Sequence, residues 1–292
     1  VAWPTAFADA RSRAASLARK TSFRIGGTPE LLFEPRTEDE AGEVLARCRA
    51  EGVPVRVLGG GCNVLVSDGI LEGAVLWTGH LRFERVLDDR VEVGAGGSFP
   101  SLVRRAADLG IPAISGCPGI PGSVGGVVSM NAGGRFGSAG DAVVEVAGFD
   151  AEGRRFRRRV EPGDMGYRTT AFEGCLVTSA AFRRDAHLDV AAERRRYVEA
   201  SEWKHRTQPL AAASAGCMFK NPPGGSAGSL IDRAGLKGER VGGAVVSTLH
   251  ANFVLNEKDA RFDDVLALVE RVRSRVRETA GVELEMEVRV WR

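Results

Sequence analysis

Gly116-Cys-Pro118-Gly119-Ile-Pro-Gly122-Ser123-Val124-Gly125-Gly126 places glycine at every third position four times and then runs through Val-Val-Ser-Met to Asn131-Ala-Gly133-Gly134. Residues without side chains leave successive backbone N–H groups free to point at an anion, and a helix beginning near Ser123 adds the positive end of its dipole. A ligand bearing phosphate suits such a loop. A tight turn between packed elements explains one or two glycines, but not five in eleven residues. A second loop of the same kind, Gly59-Gly60-Gly61-Cys62-Asn63, lies upstream. Glycine makes up 37 of the 292 residues, nearly twice the usual share of about 7%.

The surrounding pattern is mixed α and β. Thr37 followed by Glu40 reads as a capping box, and Ala41, Val44, Leu45 and Cys48 repeat at helical spacing until Gly52. A β-type run, Pro54 to Leu58, then enters the first glycine loop, and short strands over Val75–Trp77 and Val91–Val93 precede a helix after Ser98. Residues 142–182 read as hairpins with Asp150-Ala-Glu-Gly153 as a turn. Ala191 to Arg206 reads as a polar helix and a hinge into a last domain. That domain holds a helix from Asp263 to about Thr279, with Val265, Leu266, Val269, Val272 and Val276 inward. In its final strand Val282, Leu284, Met286, Val288 and Val290 face one way and Glu283, Glu285, Glu287 and Arg289 the other.

Composition narrows the function classes. The length predicts about two domains. Forty Lys and Arg against 38 Asp and Glu leave a net charge of +2, too balanced for a protein built mainly to bind nucleic acid or an anionic membrane. Arginine supplies 35 of those cations, and the runs Arg154–Arg159 and Arg194–Arg196 read as solvated strand and helix faces. No apolar run approaches the length of a membrane span. Five scattered cysteines without a C-x-x-C pair indicate neither a disulfide framework nor a zinc site, which fits a cytoplasmic protein. The amino end carries charges where an export signal needs an apolar stretch. His80, His187 and His205 read as structural, and no metal geometry is evident.

Neither glycine loop is a P-loop, and neither gives a Rossmann G-x-G-x-x-G with an acid some twenty residues later. Two separate loops flanking one pyrophosphate resemble instead the flavoproteins related to vanillyl-alcohol oxidase. Seven stretches extend the resemblance over nearly the whole chain: Thr21-Ser-Phe-Arg24-Ile-Gly-Gly27, Gly59-Gly-Gly-Cys-Asn63-Val-Leu, Pro118 to Gly126, Gly166-Tyr-Arg168, Gly216-Cys-Met-Phe-Lys-Asn-Pro222, Ala227-Gly-Ser-Leu-Ile-Asp232 with Gly235-Leu-Lys-Gly238, and Glu285-Met-Glu-Val-Arg289. In this order they resemble the UDP-N-acetylenolpyruvoylglucosamine reductase family, in its short-loop, type II class. The resemblance implies an α+β fold: a two-subdomain FAD-binding fold of the vanillyl-alcohol oxidase type plus a C-terminal α+β substrate domain whose last strand returns to the flavin. The expected boundaries are 1–75, 76–205 and 206–292.

The resemblance further implies non-covalent FAD, NADPH as hydride donor, and UDP-N-acetylglucosamine enolpyruvate as substrate, with the two substrates using one pocket in turn. Hydride added to C3 of the enolpyruvyl group makes an enolate-like species, so the protein must hold its charge and protonate C2. By motif match, Arg168 and Glu287 hold and polarise the substrate carboxylate, and Cys217 stands where the family generally has a proton-donating serine. Tyr167, Lys220, Asn221 and His250 face the substrate. Arg24, Gly59, Gly60, Gly61, Cys62, Asn63, Pro118, Gly119, Gly122, Ser123, Val124, Gly126, Asn131, Gly133 and Arg289 match the flavin side. Read without the resemblance, an Arg in a hairpin is a surface residue, Glu287 and Arg289 are same-face neighbours, and a lone Cys is a small buried apolar group.

Three departures stand out. Cysteine replaces serine at 217, and a thiol with a pKa of about 8.5 is mostly protonated at neutral pH, so it retains a proton to give. Phe136 takes the place of an aromatic that usually carries a hydroxyl. Only 48 residues separate Arg168 from Cys217, leaving no room for the inserted loop whose tyrosine meets the substrate diphosphate in many relatives, and Tyr197 sits in a polar helical stretch. A flavin oxidase of the same fold acting on an alcohol or hydroxy acid is the alternative reading, and a nucleotide-binding regulator is a more distant one. Oligomeric state is left open, with a monomer one reading.

Overall fold

The computed structural model describes residues 15–292, so the amino-terminal stretch behind the export-signal expectation lies outside the described residues. In chain order it forms β1 (Thr28–Phe33), α1 (Glu38–Ala50), β2 (Val55–Leu58), β3 (Val64–Val66), β4 (Ile70–Trp77), β5 (Glu84–Val86), β6 (Arg90–Gly94), α2 (Phe99–Leu109) and α3 (Val124–Ser129). Next come the short β7 (Gly133–Gly134) and β8 (Gly137–Ser138), β9 (Val143–Phe149), β10 (Arg155–Arg159), the short β11 (Met165–Gly166) and β12 (Thr169–Thr170), and β13 (Leu176–Arg183). The chain finishes with α4 (Val190–Thr207), α5 (Ala227–Arg233), β14 (Arg240–Val241), β15 (Ala244–Val246), β16 (Val254–Asn256), α6 (Phe262–Ala280) and β17 (Arg289–Trp291).

Two compact units divide these elements. A middle unit comprises Leu31–Gly60 and Gly73–Lys204, and a terminal unit comprises the described residues through Glu30 with Gly61–Glu72 and His205–Arg292. This grouping cuts across the consecutive segments 1–75, 76–205 and 206–292, since residues 31–60 group with 73–204 while 61–72 group with 205–292. Residues 61–72 fold with the end of the chain because β3 pairs in parallel with β17, Val64 opposite Arg289 and Val66 opposite Trp291. A parallel partner so distant in sequence leaves no local signal.

The middle unit is built on a five-stranded antiparallel sheet in the order β10-β9-β13-β6-β5. Its expected turn is present: Asp150 Oδ1 accepts the amides of Glu152 and Arg154 at 3.0 and 2.8 Å. Helix α2 starts on a Ser98 hydroxyl that accepts the Ser101 amide, ends at Gly110 in the left-handed region, and buries Phe99, Leu102, Val103 and Ala106. These pack with Val91, Val93, Val146, Ala180 and Phe182 of the sheet into one core. Strand β10 is an edge strand whose arginines engage carboxylates: Arg155 with Asp39, Arg157 with Glu145 at 2.6 Å, and Arg158 with Asp164 at 2.8 Å. Charge on an edge discourages pairing with another chain. Arg196 behaves differently, since it is half-buried and donates to the Phe136 carbonyl at 2.6 Å.

Local sequence chemistry explains α1, with one variation. The Thr37 hydroxyl accepts the Glu40 amide at 3.1 Å, but the Glu40 carboxylate reaches the Arg36 amide at 2.7 Å instead of that of Thr37. In the terminal unit, α6 buries Val265, Leu268, Val269, Val272 and Val276 against Phe23, Ile25, Leu65, Met218, Phe219 and Val288. Leu268, not Leu266, is the fully buried leucine, because Leu268 falls on the Val265–Val269–Val272 face at helical spacing whereas Leu266 stands roughly 100° round the helix from Val265. The expected last strand keeps its alternation, with Leu284 and Val288 buried and Glu283, Glu285 and Arg289 exposed, yet only Arg289–Trp291 is regular strand. Before it the chain changes partner, Met286 bridging Phe219. No helix among the described residues is long and apolar enough to cross a membrane.

Asp264 fastens the start of α6: its Oδ2 accepts the amides of Arg261 at 3.0 Å and Gly243 at 3.2 Å, and these hold its carboxyl below the usual carboxylate range. A group with a depressed folded pKa stabilises above its unfolded value, about 3.9, and loses that contribution as pH falls through the folded one. Asp264→Ala is expected to cost about 1 kcal/mol at pH 7 in urea unfolding, with the gap narrowing as pH falls below about 3.9. A gap that stays equal as pH falls would contradict this role.

Candidate functional site

The glycine segment of the middle unit is bolted in place before it can hold anything. Val124 N–H donates to the Gly97 carbonyl at 2.8 Å, Gly125 N–H to that of Ala95 at 2.9 Å, and Gly122 accepts from Phe99 at 3.1 Å. The helix begins at Ser123 as expected, but its first two amides are therefore taken by protein. The N–H groups left without a protein acceptor among the described residues are those of Gly119, Gly122 and Ser123. Ser123 Oγ meanwhile accepts from Gly60 at 3.1 Å and Gly126 at 3.5 Å, which joins the start of the first glycine loop to the second. A Cβ on Gly60 would stand 2.7 Å from both Gly122 Cα and Ser123 N. Part of the glycine content thus serves backbone packing on backbone. The Gly59 carbonyl accepts the Trp77 indole N–H at 3.2 Å, and Pro118 and Val124 are buried beside the loop.

Arg168 belongs to the same unit. It sits with Tyr167 at the tip of the β11–β12 hairpin, where Gly166 pairs with Thr169, and its φ of 56° lies in the left-handed region. Its guanidinium donates to the Gly133 carbonyl at 2.9 Å and lies 5.2 Å from the centre of the Tyr167 ring. Tyr167 is 57% exposed. Asn131, expected on the flavin side, is buried, and both ends of its side-chain amide bond to protein backbone. Phe136 meets Trp203 edge to face at 5.7 Å, and Tyr197 packs partly against the core.

In the terminal unit, Gly61 and Asn63 present N–H groups with no protein acceptor among the described residues. Gly61 itself tolerates no side chain, since a Cβ would lie 2.0 Å from the Lys20 carbonyl oxygen. Asn63 is tied to the end of the chain: its Nδ2 donates to the Glu287 carbonyl at 3.1 Å, and its own carbonyl accepts from Arg289 at 3.0 Å. Burial pushes the neighbouring Cys62 thiol up, against a hydrogen bond with Ser22. Arg24 is exposed with φ 58°.

Cys217 and Glu287 lie on adjoining backbones. Cys217 bridges Phe253 on one side, while on the other the Glu287 amide donates to the carbonyl of Met218 at 2.9 Å. Both side chains are half-buried. The residue that sets this arrangement is Asn252, 3% exposed: its side chain donates to the Phe219 carbonyl at 2.8 Å and accepts the Phe219 amide at 2.9 Å, and its carbonyl accepts from Met218 at 2.7 Å. Sequence reading missed it, although a polar residue between Ala251 and Phe253 in an apolar run is a usable signal.

Three expected substrate residues have partners within the unit. The Lys220 ammonium pairs with Glu285, Asn221 Oδ1 accepts the Ala227 amide at 3.0 Å at the start of α5, and His250 Nδ1 accepts from Asn252 at 3.3 Å. Burial, aided by Lys237, holds the His250 pKa below its ordinary value. Among the described residues no cluster of three His, Cys, Asp or Glu could hold a metal ion.

Each unit holds glycine-rich backbone with unpaired amides, Gly119, Gly122 and Ser123 in the middle unit and Gly61 and Asn63 in the terminal unit, a donor set of the kind an FAD-binding oxidoreductase offers to a diphosphate. Comparison with known proteins agrees: residues 29–158 match the FAD binding domain family, and residues 208–291 match the UDP-N-acetylenolpyruvoylglucosamine reductase C-terminal domain. The chain is 38% identical to the UDP-N-acetylenolpyruvoylglucosamine reductase of Moorella thermoacetica, over 94% of this chain and 91% of the relative. It is 40% identical to reductase 2 of Symbiobacterium thermophilum, over 96% and 91%. The crystal structure of the Thermus caldophilus reductase superposes with a TM-score of 0.80 at 38% identity, covering 96% of this chain and 98% of that one. The chain belongs to the UDP-N-acetylenolpyruvoylglucosamine reductase family and is an FAD-dependent oxidoreductase.

Gly60→Ala tests the joined loops. The added methyl meets backbone that cannot rotate away, so the purified variant is expected to carry less FAD per chain than the parent, read from the visible flavin band against protein absorbance. Full FAD content would contradict the packing account.

Proposed function

We propose that Arg168, Cys217 and Glu287 carry the chemistry of this chain, and that the unpaired amides of Gly61, Asn63, Gly119, Gly122 and Ser123 take the diphosphate of its FAD. The chain uses NADPH to reduce UDP-N-acetylglucosamine enolpyruvate to UDP-N-acetylmuramate, a step of peptidoglycan precursor synthesis. The donor set suits the cofactor: backbone N–H groups offer an anion directed hydrogen bonds and no competing negative charge. FAD, when bound and reduced by NADPH, would supply the hydride that C3 of the enolpyruvyl group receives.

The protein's part is to hold charge and deliver a proton. The Arg168 guanidinium takes the substrate carboxylate, on which negative charge builds during reduction. Glu287 is the second member of the pair that holds and polarises this carboxylate. The Cys217 thiol gives its proton to C2. Support for Cys217 and Glu287 comes from their adjoining backbones, and for Arg168 from its strained position at a hairpin tip, a conformation that surrounding structure must maintain. The side chains of Lys220, Asn221 and His250 already bond within the unit, so we read them as shaping the substrate region, with Tyr167 the exposed member of the set.

We place the protein in the cytoplasm, where its nucleotide substrates are found and where its five free cysteines stay reduced. We propose no nucleic-acid or membrane partner: the β10 arginines engage carboxylates and the net charge is +2.

The observation that carries this reading is Cys217 beside the Glu287 backbone, in a chain that otherwise fits its family. Stopped-flow measurement of each half-reaction tests it. Cys217→Ser is expected to keep most turnover. Cys217→Ala is expected to leave flavin reduction by NADPH intact while slowing substrate reduction roughly 100- to 10,000-fold. Normal substrate reduction by the alanine variant would refute the proton-donor role.

A further inference from the structure

The β11–β12 hairpin presents Arg168 in a conformation that a residue with a Cβ adopts only under constraint, and its fastenings are visible. At its base the Gly166 carbonyl accepts Asn131 Nδ2 at 2.8 Å, and Thr170 Oγ1 donates to the Ser129 carbonyl at 3.2 Å. At its tip the Arg168 guanidinium donates to the carbonyl of Gly133, two residues beyond Asn131. Asn131 Oδ1 in turn accepts the Gly140 amide at 2.9 Å. There is no slack on that side, since a Cβ on Gly140 would lie 2.9 Å from this oxygen and 2.8 Å from Met165 Cβ. Asn131 is 6% exposed and has φ 44°, a left-handed conformation that asparagine tolerates better than most residues. One buried amide thus ties the loop receiving the guanidinium to the hairpin that carries it.

We propose that Asn131 is a positioning residue for the reaction: it acts through Arg168, fixing the hairpin and its Gly133 anchor so that the guanidinium meets the substrate carboxylate in a set pose. This replaces the expected contact of its side chain with the flavin nucleotide, and it rests on the reading of Arg168 as carboxylate holder. Loss of the Asn131 amide therefore weakens recognition of the carboxylate and leaves FAD and the rest of the sugar nucleotide alone.

Binding to the oxidised holoenzyme separates these effects, with two ligands that differ in that carboxylate: UDP-N-acetylglucosamine enolpyruvate and UDP-N-acetylglucosamine. Asn131→Gly keeps the left-handed backbone and removes the amide. Asn131→Asp keeps the side-chain size and replaces the donor to Gly166 with a carboxylate oxygen that faces the Gly166 carbonyl, so the test does not depend on one variant folding. Both are expected to keep FAD content and affinity for UDP-N-acetylglucosamine, and to bind the enolpyruvyl compound roughly tenfold or more weakly. On an Arg168→Ala background, Asn131→Gly is expected to add little further loss. Equal loss for both ligands, loss of FAD, or full additivity with Arg168→Ala would overturn the positioning role. If Arg168→Ala alone fails to distinguish the ligands, the carboxylate reading falls and takes this proposal with it. If Arg168→Ala distinguishes them and neither Asn131 variant does, the positioning proposal alone falls.

Discussion

Backbone pairing of the segment 285–291 is the constraint on which the terminal unit depends. Within seven residues this segment exchanges one partner for another: Lys220 N–H to the Glu285 carbonyl and Glu287 N–H to that of Met218, then Arg289 N–H to Asn63 and a parallel ladder with Val64–Val66. The switch falls at Glu287. A half-buried carboxyl is thereby delivered next to the chain that carries Cys217, while its carbonyl takes the Asn63 side chain. Buried backbone groups must find partners, so the alternation of Leu284 and Val288 inward and Glu285 and Arg289 outward fixes register along the whole segment.

The middle unit solves a different problem, which is to keep N–H groups unpaired in a folded loop. It does so by taking neighbouring groups into firm bonds. The Gly97 and Ala95 carbonyls hold Val124 and Gly125, Ser123 Oγ holds Gly60 and Gly126, and the donors between them stay available. Preorganised donors of this kind need little rearrangement when an anion arrives.

Much of this was legible in the sequence for a simple reason: the informative features are local. The capped helix at Thr37, the Asp150 turn and the glycine spacing each depend on residues a few positions apart. Asn131 and Asn252 were not readable in the same way. Their partners, Gly166 and Gly140 in one case and Phe219 in the other, lie 9 to 35 residues away, and an isolated asparagine looks the same whether it faces a ligand or holds a strand. The placement of 61–72 with the chain end is likewise a parallel pairing over more than 220 residues, beyond the reach of periodicity. The family resemblance supplied the Cys217, Arg168 and Glu287 assignments, which composition and spacing alone would have left as surface and core residues.

In the role proposed for it, cysteine at 217 offers an exchangeable proton just as a serine would. The most direct measurement is anaerobic: bleach the flavin of the purified chain with one equivalent of NADPH, add UDP-N-acetylglucosamine enolpyruvate, and follow the visible flavin band. Prompt return of the oxidised spectrum with formation of UDP-N-acetylmuramate is expected, and no return with UDP-N-acetylglucosamine. A flavin that stays bleached in the presence of the enolpyruvyl compound would contradict it.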